Sequence, residues 1–211
     1  HKQAIVLKPD FAIGHNNLGT LLKALGRLSE AEASFQQAVA LDSDFAEAHV
    51  NLGATLKSMG RLNEAEASYA QAIALKPDRP RLHYALGNTL RELGRFSEAE
   101  ASYKKAIMLK SDYAEALNNL GNIYQELGKF SEAEVCLRRA IALKPKVAVF
   151  YYNLGNILEK LGNLNESVTK LRQAIALKPD YVEAYYNLGN RLNELGQRNE
   201  ACSAYVGAIE L

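Results

Sequence analysis

The chain has 211 residues, of which 48% are apolar, and a formal net charge of +1 at pH 7. Because basic and acidic residues nearly balance, the charge does not favour a nucleic-acid partner. The longest apolar run, residues 147–152, is far shorter than the roughly 18 residues of a membrane-spanning helix. Residues 1–10 lack the apolar core of a signal peptide. We therefore expect a protein with no membrane partner and no nucleic-acid partner.

The two cysteines bear on redox state and location. Cys136 and Cys202 lie far apart and match neither a disulfide framework nor a CxxC metal pattern. Reduced, packed thiols fit a cytoplasmic protein, and that is the location we expect.

A period of 34 residues runs through the sequence. Two glycine series mark it, the first being Gly19, Gly53, Gly87, Gly121, Gly155 and Gly189 and the second Gly26, Gly60, Gly94, Gly128, Gly162 and Gly196. The period predicts an end of a preceding repeat (1–11), five full repeats (12–45, 46–79, 80–113, 114–147 and 148–181) and an incomplete sixth (182–211). Positions below are counted within a repeat, so that Ala12 is position 1 of the first.

Each repeat is predicted to contain two helices. The first ends at the second glycine series, because glycine just beyond a helix end adopts the left-handed conformation without steric cost. The second is predicted to begin at a serine or asparagine N-cap, and four of these caps have a glutamate three residues later, as in a capping box. The predicted N-caps are Ser29, Asn63, Ser97, Ser131, Asn165 and Asn199. Asp44, Asp112 and Asp180 are expected to cap first helices.

The first glycine series lies inside the first helix, where glycine costs about 1 kcal/mol relative to alanine. We interpret it as a packing feature, since small residues recur at the facing position of the second helix. Those residues are Ala31, Ala65, Ala99, Ala133, Ser167 and Ala201. Small residues on both sides predict a close approach of the two backbones.

The sequence resembles the tetratricopeptide repeat (TPR) family in five features. They are the period, the NLG motif of residues 119–121, the closing glycine, the alanines of the second helix and the LKPD turn of residues 75–78. The resemblance covers the whole chain. It implies an all-α fold, a right-handed α-α superhelix (solenoid) of TPR helix pairs. It also implies that the first helices line a concave groove that binds peptides or proteins.

Three histidines, His15, His49 and His83, occupy position 4 of successive repeats. Equivalent residues on stacked helices lie roughly 8 to 10 Å apart, whereas the ligands of one zinc ion each lie within about 2.1 Å of it. We therefore expect packed histidines and no metal site. No nucleophile, base and orienting group can be assembled from the sequence, so we expect no catalytic residue and no cofactor.

Positions 6 and 9 share the side of the first helix opposite its packed face. Asparagine dominates both, at Asn17, Asn51, Asn119, Asn153 and Asn187 (position 6) and at Asn88, Asn122, Asn156 and Asn190 (position 9). We call these nine residues the asparagine ladder. A carboxamide both donates and accepts hydrogen bonds, so the ladder predicts binding of an extended peptide by its main chain. Tyr84, Tyr152 and Tyr186 at position 5 are predicted to line the same peptide site.

Such a ladder resembles the groove of the TPR array of O-linked N-acetylglucosamine transferase, in which it binds the substrate backbone. The resemblance leaves two functions open: a non-catalytic interaction scaffold, or the substrate-recruiting part of a larger enzyme such as a glycosyltransferase. A third reading is that the asparagines bond only to neighbouring helices or to water.

Charge is distributed unevenly along the predicted groove. Basic residues of the early repeats are Lys23, Arg27, Lys57, Arg61, Arg81, Arg91 and Arg95, and acidic residues of the later repeats are Glu115, Glu126, Glu159, Glu183 and Glu194. Either these are solvated surface charges, or an acidic part of a ligand lies toward the early repeats and a basic part toward the later ones.

The repeat pattern is cut at both ends of the sequence. Ala4, Ile5 and Leu7 fit the tail of a missing repeat, and Tyr205 and Ile209 lie where a following first helix would pack. Repeat proteins bury apolar faces only against neighbouring repeats. We therefore expect a fragment of a longer array, with head-to-tail association of its ends.

Overall fold

The structure, a computed structural model, describes residues 11–211. This range contains twelve α-helices and no β-strand. The chain divides into two compact units, residues 1–110 and 111–211. The predicted tail of a preceding repeat, with Ala4, Ile5 and Leu7, therefore lies outside the described residues except at Phe11. None of the helices within residues 11–211 is long and apolar enough to cross a membrane.

Unit 1 contains three helix pairs. They are α1 (Ala12–Ala24) with α2 (Leu28–Leu41), α3 (Ala46–Ser58) with α4 (Leu62–Leu75), and α5 (Pro80–Glu92) with α6 (Phe96–Leu109). A turn of three residues joins the helices of a pair, so the two run antiparallel. The second helix of a pair packs against the first helix of the next, and neighbouring first helices also touch.

Unit 2 repeats this arrangement. Its pairs are α7 (Ala114–Glu126) with α8 (Phe130–Leu143), α9 (Ala148–Lys160) with α10 (Leu164–Leu177), and α11 (Val182–Glu194) with α12 (Arg198–Ile209). The same contacts between successive pairs and between neighbouring first helices recur. The predicted all-α fold of paired helices is therefore confirmed in each unit.

Each first helix ends as the second glycine series predicts. Gly128 has φ +71°, its N–H donates to the carbonyl of Gln125 at 3.0 Å, and the next N–H, of Lys129, donates to the carbonyl of Tyr124 at 2.8 Å. These two bonds define a Schellman motif, in which glycine avoids the penalty that a Cβ pays at positive φ. All six glycines of this series have positive φ, so the predicted helix ends are confirmed.

The predicted N-caps are wrong. The second helix of the first repeat begins at Leu28, one residue before Ser29, and its N-cap is Arg27. Its backbone explains why, because the N–H of Arg27 completes the Schellman motif while its carbonyl accepts from Ala31 N–H at 3.0 Å. One residue thus ends one helix and starts the next, which places the serine inside the helix.

The same correction applies to the other caps. Asp44 lies one residue before the N-cap Phe45, and Asp112 and Asp180 have the same offset. None of the helices in residues 11–211 has a side-chain hydrogen bond at its N-cap. The predicted capping boxes are therefore absent from this range.

The glycines inside the first helices make the predicted close approach, but to a different partner. A Cβ on Gly121 would lie 2.9 Å from Cγ of Leu137 and 3.4 Å from the carbonyl oxygen of Ala133. The series therefore accommodates mainly the large side chain one turn beyond the alanine. The equivalent partners are Phe35, Tyr69, Tyr103, Leu171 and Tyr205. Ser167, which replaces the alanine in the fifth repeat, donates to the Gly155 carbonyl at 2.7 Å.

Two of the position-4 histidines tie their first helices to the preceding turn. Nε2 of His49 donates to the Ser43 carbonyl at 2.9 Å, and Nε2 of His83 donates to the Pro77 carbonyl at 2.8 Å. In the fifth repeat the hydroxyl of Tyr151 makes the same contact with the Pro145 carbonyl at 3.0 Å. Tyrosine and histidine are thus interchangeable at this position as donors to the turn. No cluster suited to a metal ion occurs in residues 11–211.

Candidate functional site

The position-6 asparagines link neighbouring first helices within each unit. In three of them, Asn51, Asn153 and Asn187, Nδ2 donates to the position-5 side chain of the preceding repeat. In unit 1 this bond joins Asn51 to Oδ1 of Asn16 at 2.9 Å. In unit 2 it joins Asn153 to Oδ1 of Asn118 at 2.8 Å and Asn187 to the Tyr152 hydroxyl at 3.2 Å. The interpretation that the asparagines bond to neighbouring helices therefore holds for the Nδ2 atoms of these three amides.

These bonds fix which way the amides face. Because Nδ2 of Asn51, Asn153 and Asn187 is directed at the preceding helix, Oδ1 is left as an acceptor. Within the described part of the chain, Oδ1 of these three residues accepts no hydrogen bond. All three side chains are half-buried, so the oxygen remains within reach of a ligand.

Further amide contacts extend the network in unit 2. Asn118 is 6% exposed, and its Nδ2 donates to Oδ1 of Asn119 at 3.2 Å. Nδ2 of Asn187 also donates to Oδ1 of Asn156 at 2.9 Å. The structure thus brings together two groups of ladder residues, Asn119 with Asn153 and Asn156 with Asn187.

Two of the position-9 asparagines, Asn88 and Asn190, are oriented by tyrosines of the second helix. The hydroxyl of Tyr103 donates to Oδ1 of Asn88 at 2.7 Å in unit 1. The hydroxyl of Tyr205 donates to Oδ1 of Asn190 at 2.8 Å in unit 2. Nδ2 of Asn190 is thereby left as a donor, and it has no partner among residues 11–211.

The remaining ladder residues are not brought into these networks. Asn17 and Asn122 are half-buried, and their side chains make no hydrogen bond within residues 11–211. Each offers a complete carboxamide, with both donor and acceptor.

The position-5 tyrosines, which the sequence predicts to line the peptide site, each lie beside a second tyrosine ring. The Tyr84 ring is 5.9 Å from that of Tyr103, and the Tyr186 ring is 6.0 Å from that of Tyr205. Tyr186 is 56% exposed, so one aromatic face is open to a ligand. The Tyr152 ring lies 4.9 Å from Tyr181. Burial raises the pKa of Tyr181 to about 12.

A cavity of about 710 Å³ opens beside α11 and α12 in unit 2. Its lining residues are Tyr152, Val182, Glu183, Tyr186, Asn187, Asn190, Tyr205, Ala208 and Ile209. The walls are aromatic and aliphatic, and the amides of Asn187 and Asn190 lie among them. The cavity therefore combines apolar contact area with one amide acceptor and one amide donor on the same helix.

Most of the charged side chains along the predicted groove form ion pairs. The paired side chains are Arg27, Lys57, Arg61 and Arg95 in unit 1 and Glu115, Glu159 and Glu194 in unit 2. Among the described residues Lys23, Arg81, Arg91, Glu126 and Glu183 make no ion pair. Unit 1 thus keeps unpaired cations and unit 2 unpaired carboxylates.

The sequence missed the residues that orient the ladder. Asn16 and Asn118 at position 5 are almost fully buried and accept from position 6 of the next repeat. Tyr103 and Tyr205 on the second helices donate to position-9 asparagines. Their signal was available, since tyrosine rather than leucine at that position provides a hydroxyl within reach of position 9.

Family models covering residues 22–211 identify the chain. Models described as tetratricopeptide repeat match residues 22–89, 114–147, 136–169 and 182–211, and a model described as TPR repeat matches residues 87–128 and 156–196. The chain therefore belongs to the tetratricopeptide repeat family. No relative was found among curated proteins.

Solved structures with the same fold include YrrB, described as a TPR protein with an unusual peptide-binding site. YrrB is 26% identical, with a TM-score of 0.75 over 87% of this chain and 94% of that chain. A MamA structure is 28% identical, with a TM-score of 0.72 over 75% of this chain and 93% of that chain. PilW, described as a type IV pilus biogenesis factor, is 20% identical, with a TM-score of 0.80 over 92% of this chain and 90% of that chain. The likeness to PilW shows the fold alone.

Proposed function

We propose that this chain is a non-catalytic protein-interaction scaffold that binds an extended peptide by its main chain, through the asparagine ladder. The observation that carries the proposal is the amide pair at the cavity in unit 2. Asn187 offers an unused acceptor and Asn190 an unused donor, three residues apart and therefore on one face of α11. An extended peptide presents one N–H and one C=O per residue, which is the complementary set.

The ladder is preorganised for this task. Its amides are held by bonds between neighbouring helices, such as that from Asn153 to Asn118, so little side-chain freedom is lost when a peptide binds. Immobilising a flexible polar side chain costs roughly 0.5 to 1.5 kcal/mol. The bonds to neighbouring helices support the proposal, because they use Nδ2 of Asn51, Asn153 and Asn187 and leave Oδ1 as an acceptor.

The comparisons support the class of ligand. YrrB shares the fold at 26% identity and is described as having a peptide-binding site. Membership of the TPR family is consistent with a protein or peptide partner. The alternative, recruitment of substrates to a larger enzyme such as a glycosyltransferase, uses the same ladder and predicts the same peptide contacts.

The unpaired charges add a preference to each unit. Because Arg81 and Arg91 lack acidic partners in the described part of unit 1, we propose that ligand segments bound there are acidic. Glu126 and Glu183 in unit 2 favour basic segments by the same reasoning.

The ladder is tested by removing three of its amides. A peptide selected from a random-sequence phage library on the immobilised chain is labelled and titrated by fluorescence anisotropy. Loss of a buried hydrogen bond costs about 1 to 3 kcal/mol, and about 1.4 kcal/mol corresponds to tenfold in affinity. The triple variant Asn119→Ala, Asn153→Ala, Asn187→Ala should therefore bind at least about tenfold more weakly.

A matched variant controls for the change in composition. Asn163, Asn165 and Asn199 are exposed asparagines of unit 2 outside the ladder, and their triple change to alanine should leave affinity unchanged. Equal affinity of the ladder variant and the wild-type chain would remove the proposed function.

A further inference from the structure

The asparagine ladder is interrupted in the middle of unit 1. Position 9 of the second repeat is Ala54, and position 6 of the third repeat is Ala85. Asn51 at position 6 donates to Asn16 at position 5 of the preceding repeat, and the corresponding pair one repeat later is Ala85 and Val50. Val50, Ala54 and Ala85 pack against the same buried cluster, and we call these three residues the ladder gap.

Tyr69 of α4 belongs to the cluster on which the ladder gap packs. A Cβ on Gly53 would lie 3.0 Å from Cε1 of Tyr69, and the equivalent distance one repeat later, to Cε1 of Tyr103, is 2.8 Å. The two rings therefore have the same placement. Because the hydroxyl of Tyr103 reaches Asn88 at position 9 of its repeat, the hydroxyl of Tyr69 is directed at Ala54.

The hydroxyl of Tyr69 is a polar group without a partner on an otherwise buried side chain. The residue is 3% exposed, and its hydroxyl makes no hydrogen bond to any residue in the range 11–211. Among the side chains of that range, the fully enclosed polar atoms that lack a partner reduce to Nε of Arg191. The oxygen of Tyr69 therefore keeps access to the surface, and it does so at the ladder gap.

The ladder gap is also lined by smaller side chains than the same positions one repeat later. Position 5 of the third repeat is Tyr84, whose ring lies 5.9 Å from that of Tyr103, and position 9 is Asn88, which accepts from Tyr103. In the second repeat these positions are Val50 and Ala54. An isopropyl and a methyl group thus stand where a ring and a carboxamide lie one repeat later.

We propose that the ladder gap is a side-chain pocket that takes an asparagine or glutamine of the bound peptide, an inference that rests on the peptide-binding function proposed above. The amide oxygen of the ligand accepts from the Tyr69 hydroxyl, as Oδ1 of Asn88 accepts from Tyr103. The carbon atoms of the same ligand side chain pack on Val50 and Ala85. The peptide thus supplies the amide that the chain lacks at this point of the ladder.

The charges around the ladder gap favour a neutral amide over a carboxylate. The three side chains of the gap are apolar, so the gap itself supplies no cation. Burial, and then the charge of Glu92, raise the pKa of Tyr69 to about 12, and the same charge repels a carboxylate bound at that hydroxyl. Lys57 is already paired with Glu92 at 2.9 Å. The acidic preference proposed for unit 1 therefore applies to the neighbouring residues of the bound segment.

The variant Ala54→Asn tests the preference by supplying the amide from the chain itself. Asparagine occupies this position in four other repeats, at Asn88, Asn122, Asn156 and Asn190, so the variant should fold. Peptides are selected from one random-sequence phage library on the immobilised wild-type chain and on the variant. Those selected on the wild-type chain should be enriched in asparagine or glutamine at one register, and those selected on Ala54→Asn should not.

A double-mutant cycle tests the contact with Tyr69. A peptide selected on the wild-type chain, and the same peptide with the enriched amide residue changed to alanine, are titrated by fluorescence anisotropy. The change should weaken binding to the wild-type chain about tenfold and binding to Tyr69→Phe by less than about twofold. Tyr103→Phe is the matched control. Because its hydroxyl is already bonded to Asn88, the loss of about tenfold should persist in that variant.

Unfolding of the free chain in urea tests whether the Tyr69 hydroxyl is unused. Tyr69→Phe should leave the midpoint unchanged, since no hydrogen bond is lost, whereas Tyr103→Phe should lower it because Asn88 loses its donor. An equal decrease for the two variants would show that the Tyr69 hydroxyl already has a partner, and would overturn the pocket.

The binding results that would overturn the inference are distinct from failure of the proposed function. Equal enrichment of amide residues on both baits would overturn it, as would a full loss that persists in Tyr69→Phe. If Tyr69→Phe weakened both peptides equally, the hydroxyl would bind the peptide main chain and not a side chain. The proposed function survives each of these results as long as the triple ladder variant binds more weakly. A chain that selects no peptide would remove the proposed function and this inference together.

Discussion

At the scale of single residues, the glycine inside each first helix is explained by what lies opposite it. A Cβ on Gly121 would lie only 2.9 Å from Cγ of Leu137, so that side chain would have to move to accommodate it. The sequence predicted a close approach from the period alone. It could not identify the large side chain as the partner, because that depends on how far one helix is displaced along the other.

Gly121→Ala should therefore destabilise the chain even though alanine is the better helix former. Overpacking a tight core site costs typically about 1 to 3 kcal/mol, and we expect a lower free energy of unfolding in urea by about this amount. Ala101→Gly, at an exposed position of α6, measures helix propensity alone and should cost about 1 kcal/mol. A gain in stability for Gly121→Ala would show that the glycine is not required by packing.

Lys23 is a residue whose burial is not compensated by an ion pair. Lys57, at the same position one repeat later, pairs with Glu92 at 2.9 Å, whereas Lys23 has no acidic partner within the described residues. Burial lowers the pKa of Lys23 below its ordinary value of 10.5. The charged form is therefore less favourable in the folded chain than in the unfolded chain at neutral pH.

Lys23→Met should accordingly raise the free energy of unfolding near neutral pH. Because the folded pKa is the lower one, wild-type stability rises as the pH increases from the lowered pKa toward 10.5. The advantage of the variant should shrink over that window, as measured by urea unfolding at a series of pH values. Lys105→Met, at an exposed site, is the control for replacing a lysine by methionine. A constant difference across the series would contradict the pKa shift.

At the scale of helices, the sequence predicted which segments are helical and where first helices end, but not where second helices begin. Gly128 marks a helix end by a local rule, since positive φ suits glycine wherever it occurs. The start of the next helix depends on the length of the turn. Lys129 serves both the Schellman motif and the next N-cap, and a serine or asparagine pattern cannot reveal that sharing.

The candidate site, like the helix boundaries, could be predicted only in part from the sequence. Positions 6 and 9 share one side of the helix by its period, so the sequence alone could group the asparagines that form the proposed ladder. Their hydrogen-bond partners were not predicted, because the bond from Asn153 to Asn118 spans two helices and depends on how first helices pack side by side. Asparagine at position 5 is the feature of the sequence from which these hydrogen-bond partners could have been predicted.

Asn118 should be the amide on which the network of unit 2 depends most. It is nearly buried, accepts from Asn153 and donates to Asn119. Asn118→Ala should lower the free energy of unfolding by about 1 to 3 kcal/mol, because its loss leaves half-buried polar atoms without partners. Thermal or urea unfolding measures this directly.

Asn122 in the same helix provides the control. It is half-buried and makes no side-chain hydrogen bond in the described range, so Asn122→Ala should change stability by less than about 0.5 kcal/mol. Equal losses for the two variants would mean that the hydrogen bonds of Asn118 contribute nothing specific.

At the scale of the whole molecule, each unit is a stack in which a helix pair contacts only its neighbours. The stability of such a stack is approximately a sum over repeats and the contacts between adjacent repeats. The cavity and the paired amides of Asn187 and Asn190 lie within unit 2. They should therefore survive when that unit is isolated.

The fragment of residues 111–211 should fold by itself and unfold cooperatively, as measured by circular dichroism during urea titration. A fragment of residues 130–211, which lacks α7, should be much less stable because α8 loses its partner and Asn153 loses Asn118. Similar stability of the two fragments would contradict the additive account of the stack.

The central claim is that the ladder recognises the peptide main chain rather than its side chains. The most direct measurement compares, by fluorescence anisotropy, the selected peptide with two variants of it. A peptide of the same composition, with its charged residues, asparagines and glutamines kept in place and its other residues scrambled, retains every backbone N–H, and we expect its affinity to lie close to that of the original. A peptide N-methylated at alternate residues loses those donors, and each lost bond should cost about 1 kcal/mol, so its affinity should fall by at least about tenfold. Unchanged affinity on N-methylation, with binding abolished by scrambling, would show side-chain recognition and contradict the account.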